Sequence, residues 1–151
     1  MELNSLTAIS PIDGRYGHQL KHLRPFFSEF SLIKNRLLVE VRWLQTLASH
    51  SKIKECPKLN RQTNRILEKL IQYFSESDAQ KIKEIEKITH HDVKAVEYFL
   101  KDSLQNNSDK TCNASLEFIH FACTSEDINN VSYALMLQHF RQEILLKNID
   151  R

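Results

Sequence analysis

The sequence predicts an all-α fold, and two observations support this prediction. Residues that make turns are scarce, because the 151 residues include two glycines and three prolines. These are too few for a β-sandwich, a barrel or a doubly wound sheet. Apolar residues from Phe26 to Ala48 recur at spacings of three and four, which places them along one face of a helix. Helices joined by short links therefore fit the chain best.

The first helix is predicted to run from Pro25 to a point near His50. Its charged residues fall mostly off the apolar stripe. We therefore expect six of them to face water or a partner: Arg24, Glu29, Lys34, Arg36, Glu40 and Arg42.

Three further helices are predicted before residue 105 from capping residues and apolar spacing. Asn60 can cap the second, and either Ser77 or Asp78 can cap the third. The fourth is predicted to begin at Asp92. Residues 105–113 are polar and are expected to form a surface loop. A short helix with Leu116, Phe118, Ile119 and Phe121 is then expected before Thr124.

The last segment is predicted to be one long helix from Ser125 to Arg151. Thr124 with Asp127 is typical of a helix cap, and neither glycine nor proline follows. Its apolar residues form two rows, which favours neighbours on more than one side in a large bundle or an oligomer. The segment stops without a C-terminal cap, so we expect a longer natural chain. Residues 1–124 are accordingly interpreted as a helical N-terminal domain and 125–151 as the start of a longer helix.

Composition excludes several classes of protein. Lys and Arg number 21 against 19 Asp and Glu, so no basic surface for nucleic acid is indicated. The start of the chain lacks a secretory signal, and no apolar run could span a membrane. Cys56, Cys112 and Cys123 are odd in number and irregularly spaced, which favours reduced, structural thiols. A cytoplasmic protein is expected.

Both glycines of the chain bracket Arg15 and Tyr16. Two glycines so close together indicate either a positive φ or a close approach of the backbone to another group. The arginine fork suits a phosphate or carboxylate, and the phenol can add a hydrogen bond. The alternative is a simple connecting turn with a solvated arginine.

A second cluster contains His90, His91 and Asp92. Asp92 can cap a helix, and a carboxylate beside an imidazole can fix its tautomer and raise its basicity. Such a histidine could bind phosphate or assist proton transfer, although a capping aspartate with two surface histidines explains the pattern equally well. A metal site including His120 and Cys123 is not favoured, because the spacing matches no structural zinc pattern.

The third cluster is the start of the last helix, where Thr124 and Ser125 precede two acidic residues. Two hydroxyls beside unpaired amides and a positive helix end can bind a carboxylate or a phosphate. Capping alone would explain part of this pattern, but it does not require two adjacent hydroxyls followed by Asn129 and Asn130.

The order of the three clusters resembles the adenylosuccinate lyase family of the fumarase and aspartase superfamily. The matching stretches are Ser-Pro-Ile-Asp-Gly-Arg-Tyr at 10–16, Thr-His-His-Asp-Val-Lys-Ala at 89–95, and the run from Phe118 through Thr-Ser-Glu-Asp-Ile-Asn-Asn at 124–130. The resemblance covers essentially the entire chain. It implies a homotetramer in which long helices from several subunits form a central bundle.

The resemblance also implies roles for individual residues. Arg15 and Tyr16 would contact the nucleotide phosphate, and Thr124 and Ser125 would receive a carboxylate of the substrate or of fumarate. His90, His91 and Asp92 would lie in the nucleotide site, with His91 assisting catalysis. His90 departs from the family pattern, since bacterial members commonly carry Asn at this position.

The implied reaction is a β-elimination that releases fumarate and needs no cofactor. The family's principal acid, a histidine, and its base, a serine on a mobile loop, belong to motifs that do not occur here. The chain alone is therefore expected to be inactive. A non-catalytic helical interaction or regulatory domain is the competing interpretation, and the downstream reading frame would distinguish the two.

Overall fold

The computed structural model describes residues 4–105 and 110–149, without the side chains of 110–112. The α-helices are α1 (Arg24–Phe27), α2 (Glu29–Ser49), α3 (Arg61–Gln72), α4 (Glu76–Thr89), α5 (Asp92–Gln105), α6 (Lys110–Ser115), α7 (Ser125–Phe140) and α8 (Leu146–Ile149). Short 3-10 turns lie at Lys21–Leu23 and Leu116–Phe118, and a π-helical turn at Arg141–Leu145 joins α7 to α8. The described part of the chain contains no strand, so the all-α prediction is confirmed.

Helix α2 is the centre of the fold. It contacts α1, α3, α4, α5 and α7. Its residues Leu37, Val41 and Leu44 are fully buried in the main core. That core is completed by apolar residues of the helices that surround α2: Leu67, Ile82, Val96, Leu100 and Leu104. The apolar stripe seen in the sequence therefore packs on several helices at once.

The first predicted helix ends as expected, but it does not begin as expected. Ser28 is extended, with φ −74° and ψ 163°, and it separates α1 from α2. Its hydroxyl oxygen accepts a hydrogen bond from the Ser31 N–H at 3.3 Å, which caps α2. The prediction of one helix from Pro25 is wrong because a serine inside an apolar run can also start a new helix.

The caps of α3 and α4 can be compared with the capping residues predicted from the sequence. Asn60 caps α3 as predicted, because its side-chain oxygen accepts from the Thr63 N–H at 2.8 Å. The cap of α4 is Ser75, not Ser77 or Asp78. Asp78 instead completes a capping box by accepting from the Ser75 N–H at 3.2 Å. Several residues able to cap stand close together here, and the first of them is used.

The region from residue 105 to 124 differs most from its prediction. Residue 105 belongs to α5 and residues 110–113 belong to α6, so the expected loop is wrong there, while 106–109 lie outside the described residues. The expected short helix is only the turn Leu116–Phe118. Ile119 is extended, and both His120 and Ala122 have a positive φ, of 61° and 59°. An irregular turn therefore leads into α7.

The last helix follows its predicted path with one change. The chain remains helical from Ser125 to Ile149, but residues 141–145 form a π-helical turn, and the predicted end at 150–151 lies outside the described residues. Ile128, Ser132 and Met136 are buried, and α7 packs along α2. The second apolar row remains exposed at Tyr133 and at Leu137, which is 58% exposed. The division at residue 124 into two domains stays a prediction.

Two of the charged residues of α2 contradict the expectation that they face water. Lys34 and Arg42 are exposed as expected. However, Arg36 is 4% exposed and Glu40 is fully buried. Each of these two contacts a residue distant in the sequence. Arg36 forms an ion pair with Asp92, and Glu40 forms a hydrogen bond with His120. The pair of Arg36 and Asp92 lies at the site described below.

Cys56 and Cys123 are free thiols, as expected, and the side chain of Cys112 lies outside the described residues. Burial raises the pKa of both thiols, and in Cys123 the nearby carboxylates of Glu40 and Asp127 add to this effect.

Among the helices of the described residues, none is both long and apolar enough to cross a membrane.

We predict that His90→Asn stabilises the chain. His90 ends α4 in the left-handed region, with φ 52° and ψ 30°. Asn adopts this conformation readily at the C-terminal end of a helix. The free energy of unfolding of the 151-residue chain should rise by up to about 1 kcal/mol, measured by urea denaturation. His50→Asn is the matched control, because His50 ends α2 with φ −77°. Equal gains in both variants would show that the gain does not come from relief of the left-handed backbone strain at His90.

Candidate active site

Arg36 joins three helices at the candidate site. Its Nε–H donates to Oδ1 of Asn129 on α7 at 2.9 Å, and Nη2 donates to Oδ2 of Asp92 at the start of α5 at 2.5 Å. A buried guanidinium is tolerated when its charge is paired and its N–H groups are bonded. Arg36 therefore fixes the first turns of α5 and α7 relative to α2.

His91 caps α5 through its ring. Its Nδ1 accepts from the Lys94 N–H at 3.2 Å, and its carbonyl accepts from the Ala95 N–H at 3.1 Å. Because Nδ1 is an acceptor, the proton of the neutral ring is on Nε2. A helix amide therefore fixes the tautomer of His91.

The structure corrects the role expected for Asp92. Its Oδ1 lies 3.6 Å from Nδ1 of His91, beyond a normal hydrogen bond. The same oxygen accepts from the N–H of Val93 at 2.8 Å, while Oδ2 pairs with Arg36. Asp92 therefore neither caps α5 in place of His91 nor sets the tautomer of its ring.

Ser125 brings the second and third clusters into contact. Its Oγ, at the first residue of α7, lies 3.2 Å from Nε2 of His91. Since Nε2 carries the proton, Oγ accepts from the ring, and the Ser125 O–H remains a donor for another group. Two helix N-termini meet at this contact, and their positive ends favour an anion.

Thr124 is engaged in capping α7. Its N–H and its hydroxyl both donate to Oδ2 of Asp127, at 2.7 Å and 3.0 Å. These bonds confirm the predicted cap. They also lower the pKa of Asp127, whose carboxylate is therefore charged at neutral pH. Of the two adjacent hydroxyls, that of Ser125 is the better placed to donate to a ligand.

The carboxylate of Asp92 is also held in its charged form. Partial burial alone would raise its pKa, but the Val93 N–H and the guanidinium of Arg36 outweigh burial, and its pKa lies below the ordinary value. The pairing stabilises the fold fully above the ordinary pKa of an aspartate, and this contribution is lost as the pH falls through the lowered pKa.

The loop of Arg15 and Tyr16 stands apart from this cluster. A Cβ added to Gly17 would lie 2.8 Å from the Asp13 carbonyl oxygen, and neither glycine has a positive φ, so close approach explains the glycine pair. The Arg15 guanidinium lies 5.8 Å from the centre of the Tyr16 ring, and both line a cavity of about 300 Å³. Within the described residues, no hydrogen bond or ring contact joins either side chain to His91 or Ser125.

The structure therefore gathers part of the predicted site. His91, Asp92 and Ser125 lie together, with Thr124 beside them. His90 is next to this group, but it is an exposed residue that ends α4. The binding and catalytic roles of these residues stay predictions.

Sequence reasoning missed Arg36 and did not assign a role to Asn129. Arg36 is adjacent to Leu37 and three residues after Ile33, and both of these residues are buried. Its place beside the apolar stripe could have indicated that its own side chain is buried. Its partners, however, lie 56 and 93 residues away in the sequence, and no local pattern names them.

His120, a possible metal ligand by sequence, contacts a carboxylate instead. Nδ1 of His120 lies 2.6 Å from Oε1 of Glu40. In the described part of the chain, no group of three or more His, Cys, Asp or Glu side chains is placed to hold a metal ion.

Comparison with known proteins shows the family. A family model described as a lyase matches residues 14–151. The chain belongs to this lyase family. It is 56% identical, over 146 residues, to the adenylosuccinate lyases of Haemophilus influenzae and Escherichia coli K12. It is 53% identical, over 149 residues, to the adenylosuccinate lyase of Vibrio cholerae.

The lyase chain matches only part of these relatives. The alignments cover 97% of this chain for the first two relatives and 99% for the third. In each case they cover 32% of the relative, namely its N-terminal part. The chain thus spans about a third of the length of the relatives it matches.

We predict that Arg36→Met destabilises the lyase chain by about 2–3 kcal/mol, because it leaves the Asp92 carboxylate and the Asn129 amide without their partner. Arg42→Met is the matched control on the same helix, since Arg42 pairs with Glu68 at the surface and should lose less than about 1 kcal/mol. Urea denaturation followed by circular dichroism measures both. Equal losses would show that the Arg36 bridge does not hold the helices.

Proposed function

We propose that the full-length protein containing this chain is an adenylosuccinate lyase. It would release fumarate by β-elimination from adenylosuccinate and from the succinylated carboxamide intermediate of purine nucleotide biosynthesis, and so contribute to AMP biosynthesis. The match to the lyase family and the 56% identity to bacterial adenylosuccinate lyases support this proposal. The reaction would need no cofactor and no metal.

The contact between His91 and Ser125 is the observation that carries the proposal. It places the start of α5 beside the start of α7, so that two positive helix ends adjoin one donor hydroxyl. A dicarboxylate substrate needs such donors, and charge on its carboxylate increases as the carbon beside it loses a proton. Donors already in place would stabilise that charge without reorganisation.

Ser125 would be the main contact of the substrate carboxylate. Its hydroxyl can donate to the ligand while its oxygen accepts from Nε2 of His91. Thr124 would join only after its hydroxyl leaves Asp127, which accepts it at 3.0 Å in the free chain. The hydroxyl of Ser125 would therefore contribute more to carboxylate binding than that of Thr124.

The nucleotide would lie against the other candidate residues. Arg15 would bind its phosphate by a charge-assisted bond, with Tyr16 adding a hydrogen bond. Binding energy at this remote end would help to position the reacting carbon. His91 would assist catalysis or orient the phosphate, with His90 and Asp92 beside it. The principal acid and base would come from sequence beyond Arg151.

Assembly and location complete the proposal. We propose a homotetramer in which residues 125–151 begin a central-bundle helix and residues 1–124 form the outer domain. The exposed side chains of Tyr133, Leu137 and Ile149 support burial against further helices. We propose a cytoplasmic enzyme with no nucleic-acid or membrane partner.

The central test compares two polypeptides. The purified full-length protein should release fumarate from adenylosuccinate, and the 151-residue chain should release none, because it lacks the principal acid and base. Coupled fumarase absorbance or direct chromatography of fumarate measures both. Turnover by the short chain would contradict the placement of the acid and base. No turnover by the full-length protein would favour a non-catalytic helical interaction or regulatory protein.

A second test concerns the phosphate. In the full-length protein, Arg15→Ala should weaken nucleotide binding by about 1.5–3 kcal/mol through the lost charge-assisted contact, mainly as a higher KM. Arg24→Ala is the control, since Arg24 is another exposed arginine outside the predicted site. If Arg15→Ala changes neither KM nor kcat, Arg15 does not bind the phosphate.

A further inference from the structure

A hydrogen bond between a buried glutamate and a histidine lies beneath the turn that leads into α7. Glu40, on α2, is fully buried, and its Oε1 is 2.6 Å from Nδ1 of His120. The two residues are 80 positions apart in the sequence. Neither residue takes part in the contact between His91 and Ser125.

The turn above this pair has an unfavourable backbone. His120 and Ala122 have φ values of 61° and 59°, a conformation that side chains with a Cβ adopt at an energetic cost. Such residues persist only where their surroundings determine them. The segment from Ile119 to Cys123 therefore needs contacts that hold its shape.

Helix α2 supplies two of these contacts. Glu40 bonds the side chain of His120, and Nε1–H of Trp43 donates to the Phe121 carbonyl at 2.8 Å. Glu40 and Trp43 are three residues apart, so they lie on the same side of α2. The turn is thus held from α2 at two successive residues, immediately before Thr124.

We propose that Glu40 and His120 are positioning residues, which fix the turn at 119–123 and thereby place the hydroxyls of Thr124 and Ser125 for carboxylate binding. This inference rests on the proposed lyase function. Neither side chain needs to touch the substrate. Their effect would reach the site through the backbone that connects His120 to the first residue of α7.

The chemistry of Glu40 explains why a histidine stands opposite it. Its second carboxylate oxygen, Oε2, is buried and has no hydrogen-bond partner within the described residues. Burial raises the pKa of Glu40, although the hydrogen bond and charge of His120 oppose that effect. The hydrogen bond to His120 therefore satisfies one oxygen of a carboxylate that is costly to bury without a partner.

The surroundings of the pair contain few other charges. The titratable groups that interact electrostatically with Glu40 or His120 come from α5 and from the residues around the start of α7: Lys94, Glu97, Cys123 and Asp127. Glu97 is paired with Lys94 and Lys101 by its own ion pairs. It provides a second buried glutamate that does not contact the turn.

The test uses the full-length protein and three variants. Glu40→Gln keeps the shape but replaces one carboxylate oxygen with an amide nitrogen, and His120→Asn tolerates the left-handed backbone but lacks the imidazole ring. Glu97→Gln is the matched control at a buried glutamate. KM and kcat for adenylosuccinate are measured, together with hydrogen exchange of peptides that cover residues 119–127.

We expect Glu40→Gln and His120→Asn each to raise KM about tenfold and to change kcat less than about threefold, the pattern of weakened binding. Amide exchange should accelerate at 119–127 and remain unchanged in α3 and α4. The double variant should resemble either single variant, because the two residues act as one unit. Glu97→Gln should leave KM and exchange at the turn close to the wild type.

Three outcomes would overturn the inference. One is an unchanged KM with unchanged exchange at 119–127 in both single variants. Another is faster exchange throughout the chain without a local excess, which indicates a general structural role. The third is an equal effect of Glu97→Gln. If the wild-type protein releases no fumarate, the proposed function fails, and the exchange data alone still decide whether the pair holds the turn.

Discussion

The ion pair between Arg36 and Asp92 is the interaction on which the candidate site depends. A guanidinium that is 4% exposed can remain in the core only while its partners are in place. Those partners belong to α5 and α7, and the bonds to Asp92 and Asn129 therefore set three helices in one arrangement. The contact of His91 with Ser125 follows from that arrangement rather than from any property of the two residues alone.

Helix α2 organises the site through a row of polar side chains that lies beside its apolar stripe. Arg36 and Glu40 are four residues apart, so they project from the same side of the helix, and Trp43 continues the row one turn later. Arg36 holds the starts of α5 and α7, whereas Glu40 and Trp43 hold the turn before α7. The same helix thus packs the core with its apolar stripe and positions the site with this row.

Function in such a site depends on which donors remain available after folding. The amide of Lys94 occupies Nδ1 of His91, and Asp127 occupies the hydroxyl of Thr124. What remains is the hydroxyl of Ser125, which can still donate while its oxygen accepts from Nε2–H of His91. Helix capping and ligand binding therefore use neighbouring atoms, and the caps themselves decide the hydrogen-bonding role of each group.

The sequence by itself determined the helical class, the stripe of α2, the Asn60 cap and the start of α7, because these depend on spacing and on neighbours within about one turn. It also indicated the residues of the site through their order along the chain. Only the tertiary structure decided that Arg36 and Glu40 are buried and that His120 and Ala122 take a left-handed backbone. The physical reason is distance along the chain: a charged side chain is buried, or a backbone strained, only when a partner far away in the sequence compensates its cost.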